Sequence, residues 1–382
     1  MASRRNLATI ENLPNEVLSD IFIQLIAKQL AQMRCVCKPW NALLSDPSFV
    51  KSHLLRSIHH NDEILLFFRE GLSFDFSSFT ARPSHSPDLE LTNFIKPPFN
   101  PQSKDGRGGI IGSVNGLICY YYKSYDDDDD DYVVHVCNPS LSAMLTLPPC
   151  LVPFNKSSEV HFRFGFDPKA DDYKLVKLTS YPRESKMVPQ AEVYSMRKGT
   201  WELISQRFPS HVTIISTRDE VCTDGHDGHC HWLGYTDVGW KKETIVAFDL
   251  NLETFRMIPL PDSVVDYYSF CMNVMNAVGV LSGKLCVMSK ADLDCEVWVM
   301  DEYGVAESWV KHHEFSQFFF DIYPYGFTSH GEYLFHAPND RFALYDPIAE
   351  KCKTFKIMGG QLGIIKVVGY VDSLVWVAPA KR

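Results

Sequence analysis

Five times between residues 134 and 357 the chain repeats one pattern: a short apolar strand, a polar turn carrying Asn, Asp or Ser, and a second strand. The five copies occupy residues 134–149, 191–204, 245–259, 296–310 and 342–357. With Asn138, Ser195, Asp249, Asp301 and Asp346 taken as equivalent turn residues, the intervals are 57, 54, 52 and 45 residues. Four copies follow an upstream strand entered through a glycine turn, at Asn115-Gly116, Gly228, Ser282-Gly283 and His330-Gly331. The second copy instead follows Phe164-Gly165-Phe166-Asp167 and residues 172–176. Antiparallel strands recurring in groups of three or four at such intervals predict the blades of a β-propeller. The strand at 373–377 has no hairpin after it, and those at 64–68 and 72–79 have no glycine-turn strand before them. Together they predict one shared blade, six blades in all, in which the N- and C-terminal strands close the ring and leave no sheet edge open. Short strands also fit the alternative of a β-sandwich.

Before residue 60 the periodicity is helical. Val17, Leu18, Ile21, Phe22 and Leu25 fall at i, i+1, i+4, i+5 and i+8, one stripe of a helix. Pro14 reads as just inside its start, and Glu16 lies in the first turn, where a negative charge favours the helix dipole. A second short helix is predicted over 27–33 and a third over 35–44. Asp46-Pro47 reads as an N-cap followed by proline, opening a fourth helix with Phe49, Val50, His53 and Leu54. So small a bundle buries little apolar area. Leu13, Leu18, Ile21, Phe22, Leu25, Leu30, Val36 and Trp40 are more apolar side chains than it can hide. Burial of each is worth roughly 1.5–3 kcal/mol. A partner covering half of them could bind tightly after association costs of about 4–15 kcal/mol. Packing of the bundle against the rest of the chain is the plainer alternative.

The segment reads Leu13-Pro14, then Lys28-x-Leu30, then Arg34-Cys35-Val36-Cys37-Lys38-x-Trp40, then Asp46-Pro47-x-Phe49. In this it resembles an F-box, the helical module that docks on a Skp-type adaptor of a cullin ubiquitin ligase. The resemblance implies that Leu13, Pro14, Val17, Leu18, Ile21, Phe22, Leu25, Leu30, Val36 and Trp40 face the adaptor or fill the bundle. Gln24-Leu25-Ile26 stands where plant F-boxes usually read Arg-Leu-Pro, which puts the usual turn between the first two helices in question.

The remainder is similar to the plant F-box-associated domain. The resemblance is carried by residues 113–117, Cys137-Asn138-Pro139-Ser140, residues 164–167 with 172–176, residues 192–195 with Trp201, His231-Trp232, residues 245–249 and residues 296–300. Within that family it looks like the S-locus F-box-like branch, which includes receptors for secreted pistil ribonucleases. The implied organisation is an adaptor-binding all-α F-box over 8–55 and an all-β, propeller-like substrate-recognition domain over 60–380. The implied role is the substrate-recognition subunit of an SCF (Skp–cullin–F-box) E3 ligase that directs protein targets to the proteasome. Its partners would be the Skp-type adaptor and, through it, the cullin and RING subunit. No catalytic residue, cofactor or metal is expected. The alternative is a glycan- or small-ligand-binding propeller, or a propeller enzyme, with a helical N-terminus.

The formal net charge of −10 argues against general nucleic-acid binding and is compatible with a basic protein partner. The eleven cysteines lack framework spacing, and no apolar leader core follows Arg4 and Arg5. Free thiols in a reducing cytoplasm or nucleus are expected. No apolar run approaches the roughly 18 residues of a membrane span.

Three clusters remain. Cys222, His226, His229, Cys230 and His231 are zinc-type donors, but the alternation over 229–233 reads as a strand. Asp126 to Asp131 are six consecutive aspartates whose mutual repulsion predicts a solvated hairpin loop; a weak cation site or a dock for a basic target is the alternative. An aromatic run includes Tyr267, Tyr268, Phe270, Phe315, Phe318, Phe319, Phe320, Tyr323 and Tyr325. Tyr267, Tyr268, Phe318 and Phe319 lie between blades and are candidate target anchors, against the alternative of inter-blade packing. No nucleotide loop, Gly-x-Ser-x-Gly elbow or His-Glu-x-x-His pair is present.

Overall fold

The structure is a computed structural model. It describes residues 13–60, 63–69, 80–91, 94, 107–123, 132–153, 158–181, 189–206, 208–209, 212–214, 226–236, 242–261, 263–264, 275–291, 294–315, 323–337, 341–357 and 365–377. Four helices come first: α1 (Asn15–Phe22), α2 (Ala27–Met33), α3 (Lys38–Leu44) and α4 (Pro47–His59). Pro14 is the N-cap of α1 rather than its first helical residue. Asp46 caps α4 as its sequence predicts, its Oδ1 accepting from the Ser48 N–H at 2.9 Å.

Among the described residues, the strands form six antiparallel sheets. Sheet one joins β1 (Ile64–Arg69), β2 (Thr80–Pro83) and the last strand, β23 (Ile365–Tyr370), in the order β2-β1-β23. Sheet two holds β3 (Arg107–Val114), β4 (Leu117–Lys123), β5 (Tyr132–Asn138) and β6 (Ala143–Thr146). Sheet three holds β7 (Glu159–Asp167), β8 (Asp172–Ser180), β9 (Gln190–Ser195) and β10 (Thr200–Leu203). Sheet four holds β11 (Val212–Ile214), β12 (His229–Thr236), β13 (Lys242–Asp249) and β14 (Thr254–Pro259). Sheet five holds β15 (Met275–Leu281), β16 (Lys284–Ala291), β17 (Asp294–Met300) and β18 (Trp309–Phe315). Sheet six holds β19 (Tyr323–Phe327), β20 (Tyr333–Ala337), β21 (Arg341–Asp346) and β22 (Lys351–Lys356). These are the six blades of a propeller closed by strands from both ends of the chain.

The repeated turns explain the repeated sequence. Asn138, Asp249 and Asp346 each turn a side-chain oxygen back onto the N–H groups two and three residues ahead. Each such turn ends on a residue of positive φ: Ser142 at 49°, Glu253 at 55° and Glu350 at 49°. The glycine turn Asn115-Gly116 has φ of 53° and 83°, the two-residue geometry that suits the twist of a hairpin.

The closing strand differs in place from the one the sequence suggests. Residues 373–377 pair with nothing as a strand; β23, just before them, does. Lys366 and Gly369 make β23 read poorly as a core strand, yet both have local reasons. The Lys366 ammonium donates to the Ile111 carbonyl at 2.6 Å, and a Cβ on Gly369 would come 2.4 Å from Glu63 Oε1. Residues 375–377 are apolar because they pack against the core between the second and third blades. The predicted strand at 72–79 lies outside the described residues, and the partner of β1 on that side is β2.

Apolar clusters fill the spaces between neighbouring blades: Val176, Leu178 and Val193 of the third meet Trp232, Val246 and Phe248 of the fourth. Polar contacts stitch the same seams. Asn115 donates to the Tyr173 hydroxyl at 3.0 Å, Arg163 Nε to the His231 carbonyl at 2.9 Å, and Asn276 to Glu243 at 2.6 Å. His313 meets the Tyr345 hydroxyl at 3.2 Å, and Arg82 donates to the Lys356 carbonyl at 3.2 Å. Trp201 donates to the Pro148 carbonyl of the blade before it, as Trp309 does to Pro259, both at 2.9 Å. The Pro and Trp positions of these repeats are therefore partners across seams.

Lys177 and Glu192 form a fully buried ion pair at 2.9 Å. Lys177 also donates to the Val152 carbonyl, and Glu192 accepts from the Leu151 N–H at 2.7 Å, which fixes the crossover between two blades. Lys177→Met leaves a buried carboxylate without its cation, so the unfolding free energy should fall by about 3–5 kcal/mol. Lys177→Met/Glu192→Met should recover most of it; urea unfolding checks both. Burial pushes the Tyr173 phenol up to about 12, against the opposing hydrogen bond from Asn115. A raised phenol stabilises the fold in full below pH 10 and loses that contribution as pH climbs towards 12, about 2–3 kcal/mol in all. Tyr173→Phe should therefore show a shallower loss of stability between pH 9 and 11 than the wild type, read from urea midpoints.

Candidate functional site

The helical bundle sorts the ten candidate residues into three sets. Leu18, Phe22 and Leu30 are core, at 4%, 2% and 0% exposure, with Ala27, Leu44 and Phe49. Leu13, Leu25 and Trp40 pack against them half-buried, and the Trp40 ring meets Phe22 edge-on at 5.0 Å. Pro14, Val17, Ile21 and Val36 are exposed, the last three at 41%, 48% and 64%. Val17 and Ile21 stand one turn apart on α1 and share a helix face. Leu44 is a core residue the sequence reading missed, although its spacing of four from Trp40 on α3 would have found it.

The turn at Gln24-Leu25-Ile26 forms without the usual proline. The Leu25 N–H bonds back to the Phe22 carbonyl at 2.9 Å, and His53 Nε2 on α4 donates to the Leu25 carbonyl at 2.9 Å. Ile26, the N-cap of α2, has no side-chain oxygen to offer. That service comes from the far end of the chain: the Ala27 N–H donates to Asp372 Oδ2 at 2.7 Å.

The same C-terminal stretch inserts Leu374 into the core of the bundle, where Leu141 of the β5–β6 turn also packs. Asn138 is fully buried beneath it and donates to the carbonyls of Ser373 at 3.0 Å and Val375 at 2.7 Å. Ser140 donates its hydroxyl to Asp372 Oδ1 and shares a 3.0 Å hydrogen bond with the Tyr370 hydroxyl. The Cys137-Asn138-Pro139-Ser140 motif is thus the seat of the helical bundle on the second blade.

A cavity of about 490 Å³ lies where inner strands meet; Glu63, Asn115, Asp227 and Ser329 are among its polar lining, with Val278, Val280 and Val367 among the apolar. Burial raises the Glu63 carboxyl, while its Oε2 accepts from the Ser329 N–H and hydroxyl, both at 2.9 Å. Glu63 thereby bonds the first blade to the sixth. His229 Nδ1 donates to the Asp227 carbonyl at 2.9 Å, and His231 Nε2 meets the Tyr303 hydroxyl at 2.9 Å, while Cys230 is buried in the core between blades. Alternation along β12 sends these neighbours to opposite faces, and Cys222 lies outside the described residues. Among the described residues no group of three or more His, Cys, Asp or Glu is gathered to hold a metal ion.

Tyr267, Tyr268, Phe318 and Phe319 lie outside the described residues, as do Phe270, Phe320 and Asp126 to Asp131. Of the rest of the aromatic run, Phe315 and Tyr325 are buried, with Phe315 stacked on Tyr345 at 4.7 Å across a blade seam. Tyr323 is exposed. No helix among the described residues is long and apolar enough to cross a membrane.

Two family profiles match the chain. One, F-box-like, covers residues 10–56. The other, the F-box associated beta propeller domain, covers residues 63–366. F-box protein CPR1 of Arabidopsis thaliana is 28% identical over 324 residues, spanning 80% of this chain and 72% of its own. F-box protein DOR of the same plant is 26% identical over 309 residues, spanning 79% and 74%. The solved structure of TolB from Acinetobacter baumannii overlays 85% of this chain and 73% of its own at 10% identity and a TM-score of 0.46, a likeness too loose to bear on function. With both profiles matched in order and nearly end to end, the chain belongs to the family of F-box proteins built on an F-box associated beta propeller domain.

Proposed function

We propose that this chain is the substrate-recognition subunit of a Skp–cullin–F-box ubiquitin ligase, with Pro14, Val17, Ile21 and Val36 docking the Skp-type adaptor. One observation carries the reading: the bundle closes its core with Leu18, Phe22, Leu30, Leu44 and Phe49, yet keeps these other apolar side chains in solvent. Exposed apolar groups on a folded bundle are what a partner covers. The adaptor links the chain to cullin and RING subunit in the cytoplasm or nucleus. The chain performs no chemistry; holding a target beside the ubiquitin-loaded enzyme raises the effective concentration of its lysines.

Target recognition falls to the propeller. The helical bundle rests on the β5–β6 turn at Asn138 and Leu141. β5 spans seven residues, so its other end, where Lys123 pairs with Tyr132, stands about 20 Å from that turn. The six aspartates fall in sequence between those two residues. A basic protein target suits such a charge run. The S-locus F-box-like resemblance nominates a secreted ribonuclease as one target class to assay.

Val17→Asp/Ile21→Asp touches only exposed positions, so stability should hold within about 0.5 kcal/mol of wild type. The same variant should lose co-purification with the Skp-type adaptor and cullin. Phe22→Ala should cost about 3–5 kcal/mol and melt the bundle. Circular dichroism melts and tagged pull-downs read both. Adaptor capture by the double aspartate variant at the wild-type level would refute the docking face, and no capture by wild type would move the ligand-binding propeller to the front.

A further inference from the structure

The bundle and the propeller are joined covalently by the short stretch between α4, ending at His59, and β1, beginning at Ile64. A single tether of that length would let the bundle swing. The second attachment is residues 372–375, whose polar groups reach both the helices and the second blade. Asp372 uses one carboxylate oxygen on the Ala27 N–H at 2.7 Å and the other on the Ser140 hydroxyl. The carbonyls of Ser373 and Val375 accept from the buried Asn138 amide at 3.0 and 2.7 Å. The Ser373 hydroxyl donates to the Asn115 carbonyl at 2.7 Å.

The site is built to admit this segment and nothing bulkier. Gly116, at a φ of +83°, lies so close that a Cβ there would stand 2.6 Å from the Val371 carbonyl and 2.3 Å from Ser373 Oγ. Leu374, between the two anchored carbonyls, is buried among Leu18, Phe22, Ala27 and Leu30. The strap is therefore fixed to the second blade on one side and to the helices on the other. A carboxylate at the N-terminus of α2 also satisfies a backbone donor that Ile26 leaves open, where negative charge is favoured.

From this geometry we infer that Asp372 and Asn138 are positioning residues: through the strap they lock the F-box to the propeller at one angle. That angle fixes how a bound target faces the ubiquitin-loaded enzyme. The inference rests on the receptor role proposed above for its consequence, though the lock itself is a property of the free chain.

The test uses the full-length chain without adaptor, with nitroxide labels on Cys35 of the bundle and Cys352 of β22, both exposed, and other reactive thiols changed to serine. Pulsed dipolar spectroscopy should give one narrow Cys35–Cys352 distance. Asp372→Ala and Asn138→Ala should broaden it, while Asp372→Asn, which keeps an oxygen for the Ala27 N–H, should restore the narrow distribution. A merely structural loss would not be rescued in this way. Asp372→Ala should also bind an immobilised Skp-type adaptor about tenfold more weakly, because the Ala27 N–H and the Ser140 hydroxyl both lose their carboxylate acceptor. Asp372 is only half-buried, so Asp372→Ala remains informative should Asn138→Ala fail to fold. A broad distance in wild type, or a narrow one in Asp372→Ala, would overturn the lock. Absence of adaptor binding in wild type would instead overturn the receptor role while leaving the label result to stand.

Discussion

The pairing of β1 with β23 is the constraint on which everything else depends. Six residues of the first propeller strand take six of the last as partners, from Ile64 with Tyr370 to Arg69 with Ile365. A propeller blade touches only its two neighbours, so an open ring would leave two faces of apolar side chains in water. Leu65 and Phe67 pack towards the sixth blade, and Leu66 and Phe68 towards the second. The alternation of one strand thus closes both seams at once. The lysines and carboxylates in the seams then fix the register of blades that apolar contact alone would leave free to slide.

The repeat was legible because its physics is local. Period-two alternation marks the strands, and Asn or Asp at the turn marks the point where a side chain must satisfy the backbone. The helices were legible for a similar reason, although one stripe of apolar residues did not say which half was core. Val17 and Ile21 sit one residue before Leu18 and Phe22, a rotation of about 100° on the helix, and that rotation separates solvent from core. Two features resisted sequence reading. β23 hides its role behind Lys366 and Gly369, which make sense only beside Ile111 and Glu63. The apolar run after it looks like a strand because apolarity alone cannot tell pairing from packing.

Leu374 and Asp372 were invisible in a stronger sense. Their partners lie about 350 residues away, and no local period encodes a contact between the two ends of a chain. Asn138-Pro139-Ser140 stood out as a motif, but only the fold shows that its amide and hydroxyl hold that distant segment. Candidate target anchors are harder still, since recognition needs no periodicity at all.

The placement of Leu374 has a consequence for how the protein is made. The ribosome delivers the four helices more than 300 residues before Leu374, which completes their core. Burying a leucine of that size is worth roughly 1.5–3 kcal/mol, a large share of what so small a bundle can muster. During synthesis the F-box therefore waits, incomplete, while the blades are laid down and the ring shuts. Only a copy that has reached Leu374 seals it. A chain cut short before Leu374 would carry the four helices yet lack a residue that completes their core.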